Sequence, residues 1–308
     1  MNSFRFGAML GATNRDEWLR QLRSAEAFGY SIVTLADHFG ERLAPIPSLA
    51  TAAEHVGLRL GTLVLANDFR NPAALAKEAA TLDVLSGGRF ELGIGAGWLA
   101  EDYHASGIPM AGPGARVDRL EEAIAIVKGL WADGRFQHQG DHYTIDLDGR
   151  PKPVQQPRPP ILIAGGARRI LRLAGREADI VGISVRLDRG ERAQLSEGVV
   201  STTRAMIEQK LAWIREGAGD RYDELELNTL VFEAHVTDSP QAILERIGEE
   251  TGTDPEVVRD SPQVLVGTVE EICEVIEERR AAYGISYYSF YENDIETMAP
   301  VVERLSGG

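Results

Sequence analysis

The chain has 308 residues, and its 32 lysine and arginine side chains against 47 aspartate and glutamate side chains give a formal net charge of −15. Ordinary shares of hydrophobic (44%) and charged (26%) residues indicate a folded globular protein and argue against disorder. The acidic balance argues against nucleic-acid partners, which need a basic surface, and against docking on anionic membranes. A single cysteine, Cys273, excludes a disulfide framework and a cysteine-rich metal site.

The sequence shows neither a membrane or secretion signal nor a convincing metal-binding motif. The sequence has no run of eighteen apolar residues and no signal-peptide pattern near its first residue, which predicts a cytoplasmic protein that does not span a membrane. His138 and His142 have the spacing of a metal-binding helix pair, but Gly140 between them indicates a loop. No metal is therefore predicted.

Strand-like and helix-like segments alternate along the chain. Apolar runs predict strands over 4–9, 31–35, 59–65, 90–95, 161–164, 179–183, 226–232 and 287–290. Apolar residues at helical spacing predict helices over 14–28, from about 48, over 72–85 and over 115–131. Thr268 and Glu271 form a capping-box pattern that predicts the start of another helix.

This alternation predicts an α/β fold, a (β/α)8 barrel formed as one domain by residues 1–308. The competing interpretation is a doubly wound sheet with a second domain. Two stretches, 133–160 and 184–225, are longer than ordinary barrel connections, and the second contains a predicted helix near 201–216. Both are predicted to be insertions that shape the mouth at the C-terminal ends of the strands or a subunit interface.

A glycine-rich strand end, GRFELGIGAGW, occupies residues 88–98. It imitates a dinucleotide-binding fingerprint, but Trp98 stands where that pattern requires its third glycine, and the segment follows the fourth predicted strand. The Rossmann interpretation is therefore rejected. Missing Cβ atoms would let a flat or anionic ligand approach the backbone, although a tight turn would use the same residues.

A second glycine pair follows the fifth predicted strand in ILIAGGARR, residues 161–169. Gly165 and Gly166 lead into a predicted helix, whose first backbone N–H groups can bind a phosphate. Arg168 or Arg169 would assist. The alternative is a plain turn between a strand and a helix.

The pair Asp37 and His38 lies just beyond the second predicted strand. A histidine at the C-terminal end of a barrel strand faces the active-site mouth, and its proton affinity suits acid–base chemistry near neutral pH. Asp37 is predicted to position the imidazole. A purely structural histidine is the alternative.

Four blocks in order resemble the luciferase-like monooxygenase superfamily and, within it, the class that depends on the deazaflavin F420. They occupy residues 65–109, 115–131, 157–166 and 265–285, and the similarity spans nearly the whole chain. The resemblance implies a (β/α)8 barrel with a flavin-type ring across its C-terminal mouth. It also implies that Ala164, Gly165 and Gly166 hold the cofactor phosphate.

Other positions acquire roles through the same resemblance. Leu63 and Val64 match the site of a non-prolyl cis peptide or bulge that supports the ring, and Asn67 is placed to reach the polar edge of the ring. Ala96 and Gly97 would lie close to the cofactor tail or ring. His38 matches the histidine near C5 of F420, and it is the implied proton donor or acceptor.

One departure from the family pattern bears on the substrate. F420-dependent sugar-phosphate dehydrogenases carry a glutamate where this chain has Trp98, and only four lysines are present to grasp a phosphate. A flatter, less polar substrate is therefore expected, with Phe69, Trp98 and Tyr103 as pocket walls. Ordinary core aromatics are the alternative for these three residues.

The leading hypothesis is thus an F420-dependent oxidoreductase that transfers a hydride between C5 of the deazaflavin and a small organic molecule. The alternative is an FMN-dependent monooxygenase supplied with reduced flavin by a partner reductase. A third hypothesis is a flavin-binding protein without turnover. By resemblance, the protein is expected to form a homodimer.

Overall fold

The computed structural model describes residues 3–186, 190–191, 198 and 202–306. The strands of the described chain are β1 (Arg5–Met9), β2 (Ile32–Leu35), β3 (Arg59–Thr62), β4 (Leu65–Ala66), β5 (Phe90–Gly95), β6 (Arg135–Gln139), β7 (Thr144–Asp148), β8 (Ile161–Gly165), β9 (Ile180–Ile183), β10 (Glu226–Leu230), β11 (Glu233–Val236), β12 (Val264–Gly267) and β13 (Ile285–Tyr291).

The helices flank these strands. They are α1 (Arg15–Ala27), α2 (Pro45–Ala53), α3 (Pro72–Leu85), α4 (Ala100–Ser106), α5 (Pro113–Trp131), α6 (Arg168–Glu177), α7 (Arg204–Ala218), α8 (Pro240–Thr251), α9 (Pro255–Asp260), α10 (Val269–Tyr283) and α11 (Ala299–Ser306). None of these described helices combines the length and the apolar composition that crossing a bilayer requires.

The main sheet closes into a parallel barrel, which confirms the predicted (β/α)8 fold. Its strands follow the order β3-β2-β1-β13-β10-β9-β8-β5-β4, and β3 also pairs with β5 to complete the ring. β4 continues β3 after a short break and pairs with the end of β5. The strand predicted over 59–65 is therefore interrupted between Thr62 and Leu65, and the peptide bond between Leu63 and Val64 in this break is cis.

Apolar side chains fill the barrel interior and the layer between the strands and the helices. The interior cluster consists of Met9, Ile32, Leu63, Leu162, Ile180 and Tyr287. At the N-terminal end of the barrel, Arg5 bridges the carboxylates of Glu91 and Glu226 at 2.6 and 2.5 Å. This paired, largely buried network closes the end of the barrel opposite the mouth.

The insertion predicted at 133–160 contains an antiparallel hairpin, β6 with β7. The second predicted insertion, 184–225, requires a correction, because α7 is the regular helix between β9 and β10. Glycines let it pack closely on α6: a Cβ at Gly175 would lie 2.3 Å from the Ile214 carbonyl oxygen, and one at Gly217 only 2.0 Å from that of Arg172. Residues 187–189, 192–197 and 199–201 of this stretch lie outside the described residues.

An insertion that the sequence did not reveal lies between β10 and α10. We call residues 231–268 the excursion; it contains β11, α8, α9 and β12, and its two strands form a parallel ladder of their own. The predicted seventh strand, 226–232, therefore ends at Leu230, where the excursion begins. The predicted capping box of Thr268 and Glu271 is confirmed at the start of α10.

Candidate active site

The C-terminal ends of the barrel strands form a shallow floor of small and medium side chains. These are the partly buried residues that pack on the interior cluster from the mouth side: Ala36, Val64, Ala164, Leu230 and Tyr291. Val64 packs directly against Gly95 in this floor, since a Cβ there would lie 2.9 Å from Val64 Cγ2. Such a floor suits a flat ligand laid across the mouth.

The cis peptide between Leu63 and Val64 lies in this floor, as the resemblance implied. Leu63 points into the interior cluster, and Val64 packs on it from the mouth side. A contact between these residues and a cofactor ring stays a prediction.

The imidazole of His38 is held by a buried carboxylate. His38 Nδ1 lies 2.5 Å from Asp102 Oδ2, and the other oxygen of Asp102 accepts a hydrogen bond from the Phe39 backbone N–H at 3.1 Å. Asp102 is only 3% exposed. With an ionised Asp102 the proton sits on Nδ1, which leaves Nε2, without a partner among the described residues, to accept or donate a proton.

Asp37 does not take the role predicted for it. Its carboxylate binds Arg70 through two hydrogen bonds, at 2.5 and 3.2 Å, and accepts a third from the Ala66 N–H at 3.1 Å. Asp37 therefore fastens the segment after β4 to the end of β2, and Asp102 positions the His38 ring instead. Asp102 lies in the first turn of α4, 64 residues further along the chain.

Aromatic rings surround the exposed edge of His38. Trp98 stands edge-on to the imidazole, with ring centroids 5.9 Å apart and planes at 89°. Phe69 packs against Phe39 at 4.9 Å and against Tyr103 at 5.4 Å. This side of the mouth is thus apolar, apart from the histidine.

Tyr103 supports this wall from behind. It is 2% exposed, and its hydroxyl donates to Asp68 at 3.1 Å, while burial raises the pKa of the phenol above its usual range. The exposed ring is that of Phe39, a residue that the sequence did not single out. Gly97 has φ +76°, and a Cβ there would lie 1.9 Å from the Tyr103 hydroxyl, so only glycine fits.

Across the mouth, β8 ends in Gly165 and Gly166, close to the start of α6. No side chain caps the N-terminus of this helix in the described chain. A Cβ at Gly165 would lie 2.4 Å from Ile170 Cγ2, and one at Gly166 only 2.1 Å from the Val185 carbonyl oxygen. The loop is therefore tightly packed and presents backbone N–H groups, as a phosphate site requires.

The arginines predicted to assist the loop are engaged with carboxylates on the surface. Arg168 binds Glu216 at 3.1 Å, and Arg169 pairs with Asp118 and donates to the Gly114 carbonyl oxygen at 3.1 Å. If the loop binds a phosphate, it would therefore do so through its backbone N–H groups.

Comparison with known proteins establishes the family. The model of the luciferase-like monooxygenase family matches residues 1–246. The chain belongs to this family. The family includes enzymes that use F420 and enzymes that use reduced flavin, as the relatives below illustrate.

Two curated relatives of this luciferase-like chain have different cofactors in their names. It is 32% identical over 162 residues to the FMNH2-dependent dimethylsulfone monooxygenase of Pseudomonas putida, and 30% identical over 214 residues to the F420-dependent glucose-6-phosphate dehydrogenase of Amycolatopsis mediterranei. These matches cover 52% and 62% of this chain but only 42% and 63% of the relatives.

A solved structure supports the fold over the full length. An F420-dependent secondary alcohol dehydrogenase, determined with an F420–acetone adduct, superposes with a TM-score of 0.75 over 99% of this chain and 98% of its own, at 18% identity. At that identity the likeness bears on the fold alone.

Asn67 and Ala96 are predicted to contact the cofactor, and in this luciferase-like barrel both lie next to tyrosine side chains. Asn67 is 2% exposed, and its amide nitrogen lies beside the Tyr143 hydroxyl, between β6 and β7, without forming a regular hydrogen bond. The Ala96 carbonyl oxygen lies 3.4 Å from the Tyr103 hydroxyl. Their contacts with a cofactor stay predictions.

The site as a whole fits a phosphate-bearing, flavin-type cofactor. The glycine cradle would fit the phosphate, and the small-residue floor would fit a flat ring. The His38 imidazole and Trp98 would then flank its reactive face. Gly190, a described residue between β9 and α7, lies near this side, because its carbonyl oxygen accepts a hydrogen bond from the Ala100 N–H at 3.0 Å.

Proposed function

We propose that this chain is an F420-dependent oxidoreductase. In this reaction the deazaflavin supplies or accepts a hydride at C5, and a small organic molecule with a carbonyl or an unsaturated bond is the partner. The observation that carries the proposal is the His38 ring at the end of β2, held through Nδ1 by buried Asp102, with no hydrogen-bond partner for Nε2 among the described residues. Hydride transfer to such a substrate needs a proton at the neighbouring atom, and Nε2 can supply or remove it.

Other residues of the site would orient the imidazole, exclude water and bind the phosphate. Asp102 keeps the imidazole in one tautomer and orientation, so that the proton moves at Nε2. Trp98 and Phe69 exclude water from the same face, and Gly165 and Gly166 would hold the phosphate through backbone N–H groups. The chain therefore binds, orients and transfers a proton.

The substrate is proposed to be less polar than a sugar phosphate. Trp98 provides no carboxylate for a sugar hydroxyl, and the exposed aromatic surface next to His38 consists of Phe39, Phe69 and Trp98. A small aldehyde, ketone, enone or similar molecule fits such a wall better than a charged sugar.

An FMN-dependent monooxygenase, fed with reduced flavin by a partner reductase, is the second candidate. The similarity to the dimethylsulfone monooxygenase of Pseudomonas putida favours it, because the name of that relative gives FMNH2 as its cofactor. The same barrel and phosphate loop would serve either cofactor, but the flavin ring must react with oxygen.

A binding titration tests the proposal. Purified protein is titrated with F420 and, separately, with FMN, and tryptophan fluorescence is followed because Trp98 lies at the mouth. We expect micromolar or tighter binding of F420 and weak binding of FMN. The variant Gly166→Ala should lose most affinity for either, since its Cβ would collide with the Val185 carbonyl oxygen. Gly57→Ala is the matched control, because Gly57 is an exposed glycine just before β3, at the end of the barrel opposite the mouth, where a Cβ would make only an ordinary contact 3.5 Å from Glu26 Oε1.

The other outcomes are equally informative. Preferential FMN binding would overturn the F420 assignment in favour of the monooxygenase, and the search would turn to its reductase. Binding of neither cofactor would overturn the phosphate-loop assignment of Gly165 and Gly166 and the function built on it.

We propose that residues 1–308 form one domain, which acts in the cytoplasm as a homodimer. Its partner is proposed to be a small-molecule substrate, and neither nucleic acid, membrane nor metal takes part. A partner reductase is required only for the FMN-dependent reaction.

A further inference from the structure

A lysine is buried behind the phosphate loop. Lys210, in the middle of α7, is only 2% exposed, and its Nζ donates a hydrogen bond to the Ser184 carbonyl oxygen at 2.7 Å. Burial alone lowers the pKa of this ammonium to about 8. A buried cation with no carboxylate partner among the described residues destabilises the protein unless another anion compensates it.

The charged side chains of the elements around Lys210 form ion pairs or hydrogen bonds with other groups. On α6, Arg168 and Arg172 bind Glu216 of α7 at the surface, and Arg221, after α7, donates to the carbonyl oxygens of Gly175 and Ala178. The glutamates of α10 do not contribute to the pKa shift of Lys210.

The acceptor of Lys210 belongs to the segment that supports the glycine loop. The Ser184 N–H donates to the Gly165 carbonyl oxygen at 3.0 Å, and the next residue, Val185, presses its carbonyl oxygen against Gly166. Ser184 thus links the ammonium, bound at its carbonyl oxygen, to the Gly165 peptide, bound at its N–H. In a poorly solvated surrounding, opposite charges attract more strongly than they do in water.

We infer that Lys210 is a positioning residue for the cofactor phosphate: its ammonium, held behind Ser184, stabilises an anion bound at Gly165 and Gly166 and couples that binding to proton uptake. The inference rests on the proposed phosphate site. Lys210 does not touch the phosphate but acts through the peptide of Ser184. Its charge lowers stability in the ligand-free protein and favours the bound state.

The direction of the pH dependence follows from the lowered pKa. Below about pH 7 Lys210 is already protonated, so binding takes up no proton at this site. Above about pH 8 the free protein has lost that proton, and the bound anion draws it back, so affinity falls as the pH rises. The phosphate monoester of FMN, with a second pKa of about 6, is mostly a dianion across this range, and any change in its ionisation on binding would release a proton instead of taking one up.

Isothermal titration calorimetry tests the inference. FMN and F420 are titrated at pH 6.8 and 8.8 in buffers of different ionisation enthalpy, which reports the protons taken up on binding. We expect wild-type protein to take up a clear fraction of a proton at pH 8.8 and nearly none at pH 6.8. Lys210→Met should bind about tenfold more weakly at pH 6.8 and show no uptake at either pH.

Two further variants make the test specific. Lys210→Arg keeps a charge that does not titrate, so it should retain affinity but lose the proton uptake at pH 8.8. Lys77→Met, at an exposed lysine on α3, changes the net charge equally and should behave as wild type. A melting curve of Lys210→Met should show a midpoint no lower than that of wild type, because a buried charge is removed.

Some results would refute only the role of Lys210, and another would refute the phosphate site itself. Wild-type protein that binds a cofactor at pH 8.8 without proton uptake overturns the role of Lys210, whatever the variants do. Unchanged affinity and uptake in Lys210→Met does the same. If the wild type binds neither cofactor, the phosphate site itself is refuted, and with it the proposed function.

Discussion

The two nitrogens of the His38 ring have different surroundings, and that difference defines its chemistry. Nδ1 is held at 2.5 Å by Asp102, which is itself fixed by the Phe39 N–H, whereas Nε2 has no hydrogen-bond partner among the described residues and the ring lies beside Trp98. A ring held in this way presents one proton-transfer atom in one orientation.

Replacing Asp102 should therefore disturb the tautomer of His38 more than the fold. In Asp102→Asn the amide can donate to Nδ1 and favour the tautomer with its proton on Nε2, so we expect turnover to fall by about 100-fold or more. Cofactor affinity should stay within about tenfold. Nitrogen-15 NMR of the imidazoles gives the tautomer directly, and steady-state kinetics with a substrate from a screen gives the rate.

Asp37→Asn is the matched control for that experiment. It weakens the clamp between Asp37 and Arg70 but leaves the contacts of the imidazole in place, so the tautomer should be unchanged. A tautomer change in Asp37→Asn, or a normal rate in both Asp102→Asn and His38→Ala, would remove this dyad from the mechanism.

Sequence reasoning paired the histidine with the wrong carboxylate. Asp37 is adjacent along the chain, yet side chains of neighbouring residues after a strand diverge, and its own faces Arg70. Asp102 becomes a neighbour only because closing the barrel brings the segment after β5 next to the one after β2. Its position in the first turn after GAGW was the available signal.

Among the elements, α10 has the most explicit start signal. The Thr268 hydroxyl accepts from the Glu271 N–H at 3.2 Å, and the Glu271 carboxylate accepts from the Thr268 N–H at 2.8 Å. α10 also carries the buried Arg279, which donates to the carbonyl oxygens of Val264 and Arg259 and so anchors the excursion to the barrel.

Removing the cap should destabilise the protein by a measurable amount. Thr268→Ala is expected to lower the free energy of unfolding by about 1 kcal/mol, as loss of an N-cap side chain typically does. Urea unfolding followed by circular dichroism measures this. Thr268→Ser keeps the hydroxyl and should recover most of the loss; equal stability of the alanine variant and wild type would contradict the cap assignment.

Local signals predicted the regular elements well and the excursion poorly. Apolar runs and helical spacing fixed the barrel strands and α5 because burial imposes those periods. β11 and β12 are short, and the apolar run before β11 merges with that of β10, so no turn signal separated them. For α7, chain length suggested an insertion, whereas only its packing on α6 identifies it as a barrel helix.

At the scale of the whole molecule, the net charge of −15 opposes the approach of an anionic cofactor. Salt screens this repulsion, because the Debye length falls from about 30 Å at 0.01 M to about 8 Å at 0.15 M.

The rate of cofactor association should therefore rise with ionic strength. We expect stopped-flow fluorescence to give severalfold faster association of F420 or FMN at 0.15 M than at 0.01 M salt. Potassium chloride and sodium chloride should act alike, which controls for specific ion binding. Slower association at the higher salt would mean that positive charge around the mouth outweighs the net charge.

The excursion leaves and rejoins the barrel through two strands that lie side by side, from Glu233 paired with Val264 to Val236 paired with Gly267. Because its ends are already joined by this ladder, the chain between them can change in length or composition with little entropic cost to the barrel. The segment between β11 and β12 can therefore differ in length or composition without displacing His38, Asp102 and the glycine loop.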